Sequence, residues 1–469
     1  MPKEKTAFFC SECGAESPKW AGRCPECGAW NTMTEQRVPT GKAPGGSASA
    51  LWGGPADSKS VPVTVNQIDA DAENSARRLK MPSRELNRVL GGGLVAGSMV
   101  LLGGEPGIGK STLLLQNLLY IKTKRILYVS GEESAAQLKL RADRLGRGSD
   151  NIYIVCETSL ETVFEHVASL RPEILVIDSI QTVTTDTLAA APPPGSVSQV
   201  RACAAELLRY AKSTGTPVLL VGHITKDGTL AGPKVLEHIV DTVLVFEGDA
   251  RHSYRILRTS KNRFGPTSEL GIYEMGSKGL REVPNPSELL ITSPANADAT
   301  APLSGIAIGV AMQGRRPMLI EAQALVSASP YANPQRSVTG FDAKRLNMLI
   351  AVIEKRLGLR MDKKDVFLNI AGGFKASDPA LDLAVAAALI SATLDTPVPP
   401  GFCFAGEVGL SGEIRPVASP LARIQEARRL GFSDIALADN FPKDETLPDG
   451  INIHRTSRLD AAMRLLFKP

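Results

Sequence analysis

The chain has no apolar run near the roughly 18–20 residues that a membrane-crossing helix needs, so no span is expected. Its opening, Met1-Pro-Lys-Glu-Lys, lacks the charged-then-apolar layout of a signal peptide. Neither sign of charge is in strong excess. With 53 Lys and Arg against 49 Asp and Glu, the net charge of +4 is too small to argue for nucleic acid by itself. Cysteine is scarce beyond the first 27 residues, where four of the seven crowd together. That distribution suits a metal site in a reducing compartment rather than a disulfide framework, and the cytoplasm is the expected location.

What is present is ordinary for a globular chain, 43% hydrophobic and 22% charged. At 469 residues it is too long for one core, and about three domains are expected.

One stretch organises the rest. The apolar strand Val100-Leu101-Leu102 leads into Gly104, Glu105, Pro106, Gly107, Ile108, Gly109, Lys110, Ser111 and Thr112, followed by Leu113-Leu114-Leu115. This satisfies G-x-x-x-x-G-K-[ST] with a strand before and a helix after, the context of a P-loop. The glycines let successive backbone N–H groups point at a phosphate, and the helix N-terminus adds its dipole. Lys110 can reach the β- and γ-phosphates, and the Ser111 hydroxyl can ligate Mg²⁺. A glycine-rich turn that binds nothing is the bland alternative, and the context argues against it. ATP or GTP is the expected ligand.

Before it, Cys10-x-x-Cys13 and Cys24-x-x-Cys27 form two knuckles separated by ten residues. Two turns that each present two thiolates suit a tetrahedral Cys₄ Zn²⁺ ribbon, with Gly14 and Gly28 permitting the turns. Four protein ligands leave no position open for catalysis, so the role is structural or a grip on a partner. Trp20 and Trp30, with Lys19 and Arg23, either contact a nucleic acid or pack the ribbon, the latter being the commoner use. Residues 34–60 are rich in Gly, Pro, Ala and Ser and read as a flexible tether.

From Val61 onward, strand-like runs alternate with helical patterns. Ser83 caps a short helix, and the runs are Ile126–Val129, Ile152–Val155, Ile174–Ile177, Val218–Val221 and Val243–Phe246. Continuous apolar strands joined by helices indicate a parallel sheet covered on both faces. Asp178 ends one such run, where a Walker B carboxylate supports Mg²⁺ through water. Glu132 and Glu133 follow another. Glu132 is preferred as the base that activates the attacking water, against the alternative of helix N-terminal charge. His223 stands where a residue could sense the γ-phosphate, although a lone histidine is more often structural.

The Gly91–Ser98 stretch, the P-loop and, above all, Lys261-Asn-Arg-Phe-Gly265 resemble the RadA (Sms) family of bacterial recombination proteins. The core is similar to RecA and more closely to the DnaB helicase. In that family a Lys-x-Arg segment reaches ATP across a subunit boundary, which makes Lys261 and Arg263 expected trans-acting fingers. The resemblance implies a hexameric ring that hydrolyses ATP between subunits. It also implies movement on single-stranded DNA and branched intermediates, with RecA as a partner and no membrane. Loops at 184–198 and 225–233 match those lining the channel of RecA-like rings, so Lys226 and Lys234 become candidate phosphate contacts. Read without the family, the basic cluster from Arg251 to Arg263 is as readily a solvated face.

The last third resembles the proteolytic domain of Lon, through Phe374–Ser391 and Gly406–Val417. A Ser–Lys dyad needs a hydroxyl and a lysine that can lose its proton. The nucleophile's place falls on Ala380 and the lysine's on Arg423, which keeps its proton; Ser377 is three residues off. Proteolysis is not expected. Lys344, Arg345, Lys355, Arg356, Arg360, Lys363 and Lys364 form an intermittent basic stretch, for DNA or for solvent.

The expected organisation is therefore α/β. It comprises a Cys₄ zinc ribbon (1–33), a linker (34–60), a RecA-like P-loop ATPase core (61–284), a second linker (285–304) and an inactive Lon-protease-like α+β domain (305–469).

Overall fold

The computed structural model describes residues 4–10, 16–25, 28, 30–39, 64, 78–146, 148–188, 192–223, 235–248, 254–285, 287, 291, 303–331, 333–371, 377–439 and 448–467. The chain divides into two compact units, Met1–Val283 and Pro284–Pro469.

At the N-terminus Glu4–Cys10 pairs antiparallel with both Glu16–Ser17 and Met33–Pro39. Cys10 and Cys24 are buried together with Met33, and Gly28 takes the left-handed conformation (φ 74°) that the second knuckle turn requires. Cys13, Cys27 and Gly14 lie outside the described residues. The two tryptophans do not pack the ribbon: Trp20 is 59% and Trp30 70% exposed. Arg23 stands over the Trp30 ring at 5.8 Å while its Nε donates to Gly28 O.

In the rest of the first unit the strands are β1 (Met99–Gly104), β2 (Ile126–Ser130), β3 (Ile152–Cys156), β4 (Ile174–Asp178), β5 (Val218–His223), β6 (Thr242–Glu247), β7 (Tyr254–Asn262), β8 (Leu270–Gly276) and β9 (Gly279–Glu282). They form one nine-stranded sheet in the order β9-β8-β7-β6-β1-β5-β4-β2-β3. The six strands from β6 to β3 are parallel, and β7 to β9 extend the sheet antiparallel. Alternate side chains enter opposite layers: Val100, Leu102, Tyr128 and Val176 on one side, and Leu101, Leu127, Val129 and Leu175 on the other. Both layers are apolar, which is why these strands read as unbroken apolar runs.

The helices are α1 (Arg84–Val89), α2 (Lys110–Leu119), α3 (Ala135–Arg144), α4 (Leu160–Leu170), α5 (Val197–Thr214) and the short α6 (Val235–Ile239). Ser83 caps α1 through a hydrogen bond from Leu86 N at 3.0 Å. Ser134 and Gln137 form a capping box at the start of α3, fixing the turn that carries Glu132.

The second unit has a seven-stranded mixed sheet. Its strands are β10 (Ile306–Gln313), β11 (Arg316–Ala328), β12 (Arg336–Thr339), β13 (Lys364–Ile370), β14 (Phe402–Ala405), β15 (Asp434–Ala438) and β16 (Asn452–Thr456), in the order β12-β13-β11-β10-β14-β15-β16. The helices are α7 (Ala343–Leu357), α8 (Asp382–Leu394), α9 (Pro420–Arg429) and α10 (Leu459–Leu466). From Asp382 to Ser391, α8 is buried on every side, as its near-continuous apolar sequence requires. It approaches β10 so closely that a Cβ on Gly309 would meet Ala384 at 2.9 Å.

The basic stretch divides. Lys344, Lys355, Arg356, Arg360 and Lys363 are exposed and Lys364 is half-buried. Arg345 instead turns inward, donating Nε to the buried Asp382 at 2.6 Å. Burial raises the Asp382 pKa against the opposing pull of Arg345. The carboxylate withdrawn from water must be paired, so the half-buried Arg345 is held in the fold as the partner of Asp382.

Candidate nucleotide site

The glycine-rich loop leaves β1 at Gly104, where a Cβ would sit 2.7 Å from Phe246 O. Glu105, Pro106 and Gly107 stand in solvent, Ile108 turns back into the core, and Gly109 caps α2 at φ 111°. A Cβ there would also meet Met275 Cε at 2.6 Å, a contact the flexible methionine could relieve, so it is the left-handed backbone that calls for glycine. Ser111 and Thr112 follow, half-buried, in the first turn of α2.

Lys110 is buried, and its Nζ donates to Gly104 O (2.8 Å) and Glu105 O (2.9 Å). It also lies 3.3 Å from His223 Nδ1. An ammonium only donates, so Nδ1 accepts, and Nε2 is left to donate to Glu132 Oε1 at 3.0 Å. The carboxylate receives a second hydrogen bond from Ser179 Oγ at 2.5 Å. Burial lowers the Lys110 pKa, against the opposing pull of the Asp178 and Glu132 carboxylates. At Glu132 burial works upward, yet the hydrogen bonds from Ser179 and His223 and the nearby positive charge hold it below the usual carboxylate range.

Glu133 faces elsewhere. Arg141 donates to its carboxylate at 2.5 Å, and its backbone N–H is held by Ser130 Oγ at 3.0 Å. It ties the turn to α3. Asp178, at the end of β4, accepts from the buried Tyr128 hydroxyl through Oδ2 at 2.5 Å.

Lys110, Asp178, Glu132 and His223 thus gather at the C-terminal ends of parallel strands, where open α/β sheets bind ligands. The Ser111 hydroxyl and the Asp178 carboxylate are the hard oxygen donors that Mg²⁺ takes. Among the described residues no group of three or more His, Cys, Asp or Glu has the layout of a metal site. Of the four candidate zinc ligands, Cys10 and Cys24 share one buried cluster, a placement that fits a thiolate site.

Lys261 and Arg263 are not part of this gathering. Lys261 pairs with Val243, which pairs with Leu101, three residues before Gly104 on β1. That spacing puts Lys261 about 10 Å down the sheet from the loop. Its Nζ donates to Glu237 O (2.6 Å) and Val240 O (2.8 Å) at the end of α6. Burial and the neighbouring Arg263 lower its pKa. Arg263 is exposed, 3.6 Å from the buried Asp241. Lys226 and Lys234 lie outside the described residues.

At the place of the Lon-type dyad, Ala380 is fully buried, and Arg423 is only 1% exposed. Arg423 pairs with Asp378 at 2.8 Å and donates to Ala418 O (2.9 Å) and Val310 O (2.5 Å). Ser377 is exposed.

Sequence reasoning missed Tyr128, Ser179 and Arg141 as neighbours of the site. Tyr128 carried a signal: a hydroxyl inside an unbroken apolar strand needs a buried partner.

Three family models match: a rubredoxin metal binding domain over residues 8–35, an AAA domain over 64–229, and Subunit ChlI of Mg-chelatase over 335–440. These matches agree with a zinc ribbon, a P-loop core of AAA/RecA type, and a ChlI/Lon-like C-terminal domain. The DNA repair protein RadA of Bacillus subtilis is 46% identical over 466 residues, covering 99% of each chain. The proteins of that name from Listeria monocytogenes (465 residues, 98% of each chain) and Pseudomonas aeruginosa (472 residues, 100% of each) are both 47% identical. With such identity along its whole length, the chain belongs to the DNA repair protein RadA family.

Proposed function

We infer that the protein is a DNA-dependent ATPase of recombinational repair. It forms a hexameric ring of DnaB type that moves on single-stranded DNA and processes or branch-migrates recombination intermediates together with RecA. The observation that carries this reading is the split of the site: Lys110, Glu132 and Asp178 meet at one end of the sheet, while Lys261 and Arg263 lie toward the other. Cations so placed cannot reach the phosphates of their own subunit but suit those of a neighbour.

In this reading the loop amides and Lys110 bind the phosphates of ATP, exchanging the Gly104 and Glu105 carbonyls for phosphate oxygens. Mg²⁺, when bound, neutralises charge between the β- and γ-phosphates. Ser111 and Asp178 would hold it. Glu132, ionised well below neutral pH, orients and deprotonates the attacking water. The neighbour's Lys261 and Arg263 stabilise charge on the departing phosphoryl group, which makes turnover depend on assembly. Zn²⁺ on Cys10, Cys13, Cys24 and Cys27 would supply the folding energy of the ribbon. The ChlI/Lon-like domain serves assembly and DNA binding without peptide-bond chemistry.

The test is steady-state ATP hydrolysis with and without single-stranded DNA, for the wild type and Lys261→Ala. Stimulation by DNA that disappears in the variant, with nucleotide binding intact, is expected. Hydrolysis indifferent to DNA would replace the motor with an ATP-dependent switch or scaffold.

A further inference from the structure

We propose that Tyr128 is a positioning residue for the metal-supporting carboxylate, fixing which oxygen of Asp178 faces Mg²⁺. The inference rests on the reading of Asp178 given above. Tyr128 lies on β2 and Asp178 on β4, adjacent parallel strands in which Tyr128 pairs with Val176 and Ser130 with Asp178. The tyrosine is fully buried, its ring within the apolar layer that also holds Val176 and Leu102. Packing therefore locks the ring, and the hydroxyl donates to Asp178 Oδ2 at 2.5 Å.

A hydroxyl donating to a carboxylate makes a charge-assisted hydrogen bond, among the stronger ones in proteins. It engages Oδ2 and leaves Oδ1 outside the bond, so the carboxylate presents one oxygen in one orientation. A free carboxylate at a strand tip would rotate about its last torsion, which is broad and roughly two-fold. Outer partners of this kind orient the groups around a metal, and removing one typically weakens metal affinity 10–100-fold; for a carboxylate that acts through water the low end, about 10-fold, is expected. The same strand continues into Glu132, so β2 serves both the metal's carboxylate and the base that activates water. Ser179, next to Asp178, returns the link by donating to Glu132.

The test is Mn²⁺ binding to the full-length protein with a non-hydrolysable ATP analogue, followed by electron paramagnetic resonance. Wild type, Tyr128→Phe, Asp178→Ala and the double variant are compared, with analogue binding in EDTA and thermal melting measured alongside. Tyr128→Phe keeps the ring and is expected to weaken Mn²⁺ about 10-fold, with analogue binding in EDTA unchanged. In turnover the Mg²⁺ requirement rises while the rate at saturating Mg²⁺ stays within about two- to three-fold of wild type. On the Asp178→Ala background the same substitution should change nothing further, because the carboxylate it orients is gone. Unchanged Mn²⁺ affinity in Tyr128→Phe, with Asp178→Ala clearly weakened, overturns the role of Tyr128 alone. Unchanged affinity in Asp178→Ala overturns the reading of Asp178 itself. Tyr128→Met, which also lacks a hydroxyl, gives the same measurement if the phenylalanine variant does not melt cooperatively, and affinity equal to wild type there overturns the proposal.

Discussion

Lys110 and Arg423 are both cations withdrawn from water, each close to a carboxylate, and they are held in opposite ways. Lys110 rests on two neutral carbonyls of its own loop, with His223 between it and Glu132. Arg423 is bound to the carboxylate of Asp378 and to two further carbonyls. A cation on neutral acceptors can trade them for phosphate oxygens at little cost. A buried cation paired with a carboxylate cannot leave without breaking an ion pair withdrawn from water. The first arrangement is a site and the second is a brace, although both stand where a sequence motif would look for chemistry.

Breaking the brace should give the largest effect. Asp378→Ala leaves the buried Arg423 guanidinium without its counter-charge, and a loss of about 3–5 kcal/mol from the C-terminal unit is expected. Asp378 also accepts from Met312 N (2.6 Å) and Ala380 N (3.0 Å), so three donors lose a partner together. Urea unfolding of the full-length protein checks this, and a cost below about 1 kcal/mol would mean that the pair is solvated.

Breaking the site should leave the fold nearly untouched. Lys110→Ala removes a donor to one buried and one part-buried neutral carbonyl, so melting should move far less than for Asp378→Ala. Turnover should fall by about 10²–10³-fold, the usual cost of deleting one preorganised donor to a developing charge. Stopped-time phosphate release and differential scanning calorimetry on the same preparation separate the two quantities. A large loss of stability with turnover retained would exchange the roles assigned to the two cations.

The link through His223 sharpens the comparison further. The Glu132 pKa is held down partly by the His223 hydrogen bond, so the group is ionised at neutral pH and loses its charge only as pH falls through its lowered value. Deleting the donor in His223→Ala should raise that value, moving the acid limb of kcat upward by roughly one pH unit or less. The pH–rate profile of the two proteins decides it; an acid limb that stays in place would remove Glu132 as the titrating base. Any stability that Glu132 contributes has the same sign, present above its unfolded pKa and lost as pH falls through the folded one.

The difference between the two cations also marks what was legible in the sequence. The P-loop, the strand ends at Asp178 and Glu132, and the cysteine knuckles are local patterns, each dictated by the backbone geometry of a single turn. The apolar runs announced the parallel strands because a sheet covered on both faces has no polar side to interrupt them. The antiparallel extension β7 to β9 was visible only as a basic, hairpin-like region, since its pairing depends on register between strands and not on composition. Partners far apart in the chain were unreadable: Tyr128 with Asp178, Arg345 with Asp382, Arg423 with Asp378. Arg345 looked like one of several surface cations because nothing local distinguishes a charge that will turn inward. The exposed Trp20 and Trp30 reversed the usual expectation for the same reason, as three short ribbon strands leave little interior for two indoles to enter.

The smallest effect is expected where the residue types look most telling. The double substitution Ala380→Ser with Arg423→Lys places the hydroxyl and the amine of a Ser–Lys dyad on this ChlI/Lon-like scaffold. Catalysis also requires that the lysine be neutral for part of the time. Asp378, which pairs with Arg423 at 2.8 Å, would face the new amine as well, and a neighbouring carboxylate raises the pKa of an amine and keeps it charged, opposing the effect of burial. The new lysine would be a second brace rather than a base. No casein cleavage and no labelling by a serine-directed phosphonate are expected of the double variant. Labelling that appears only when Asp378→Asn is added would identify the carboxylate, more than the missing hydroxyl, as what separates this domain from a protease.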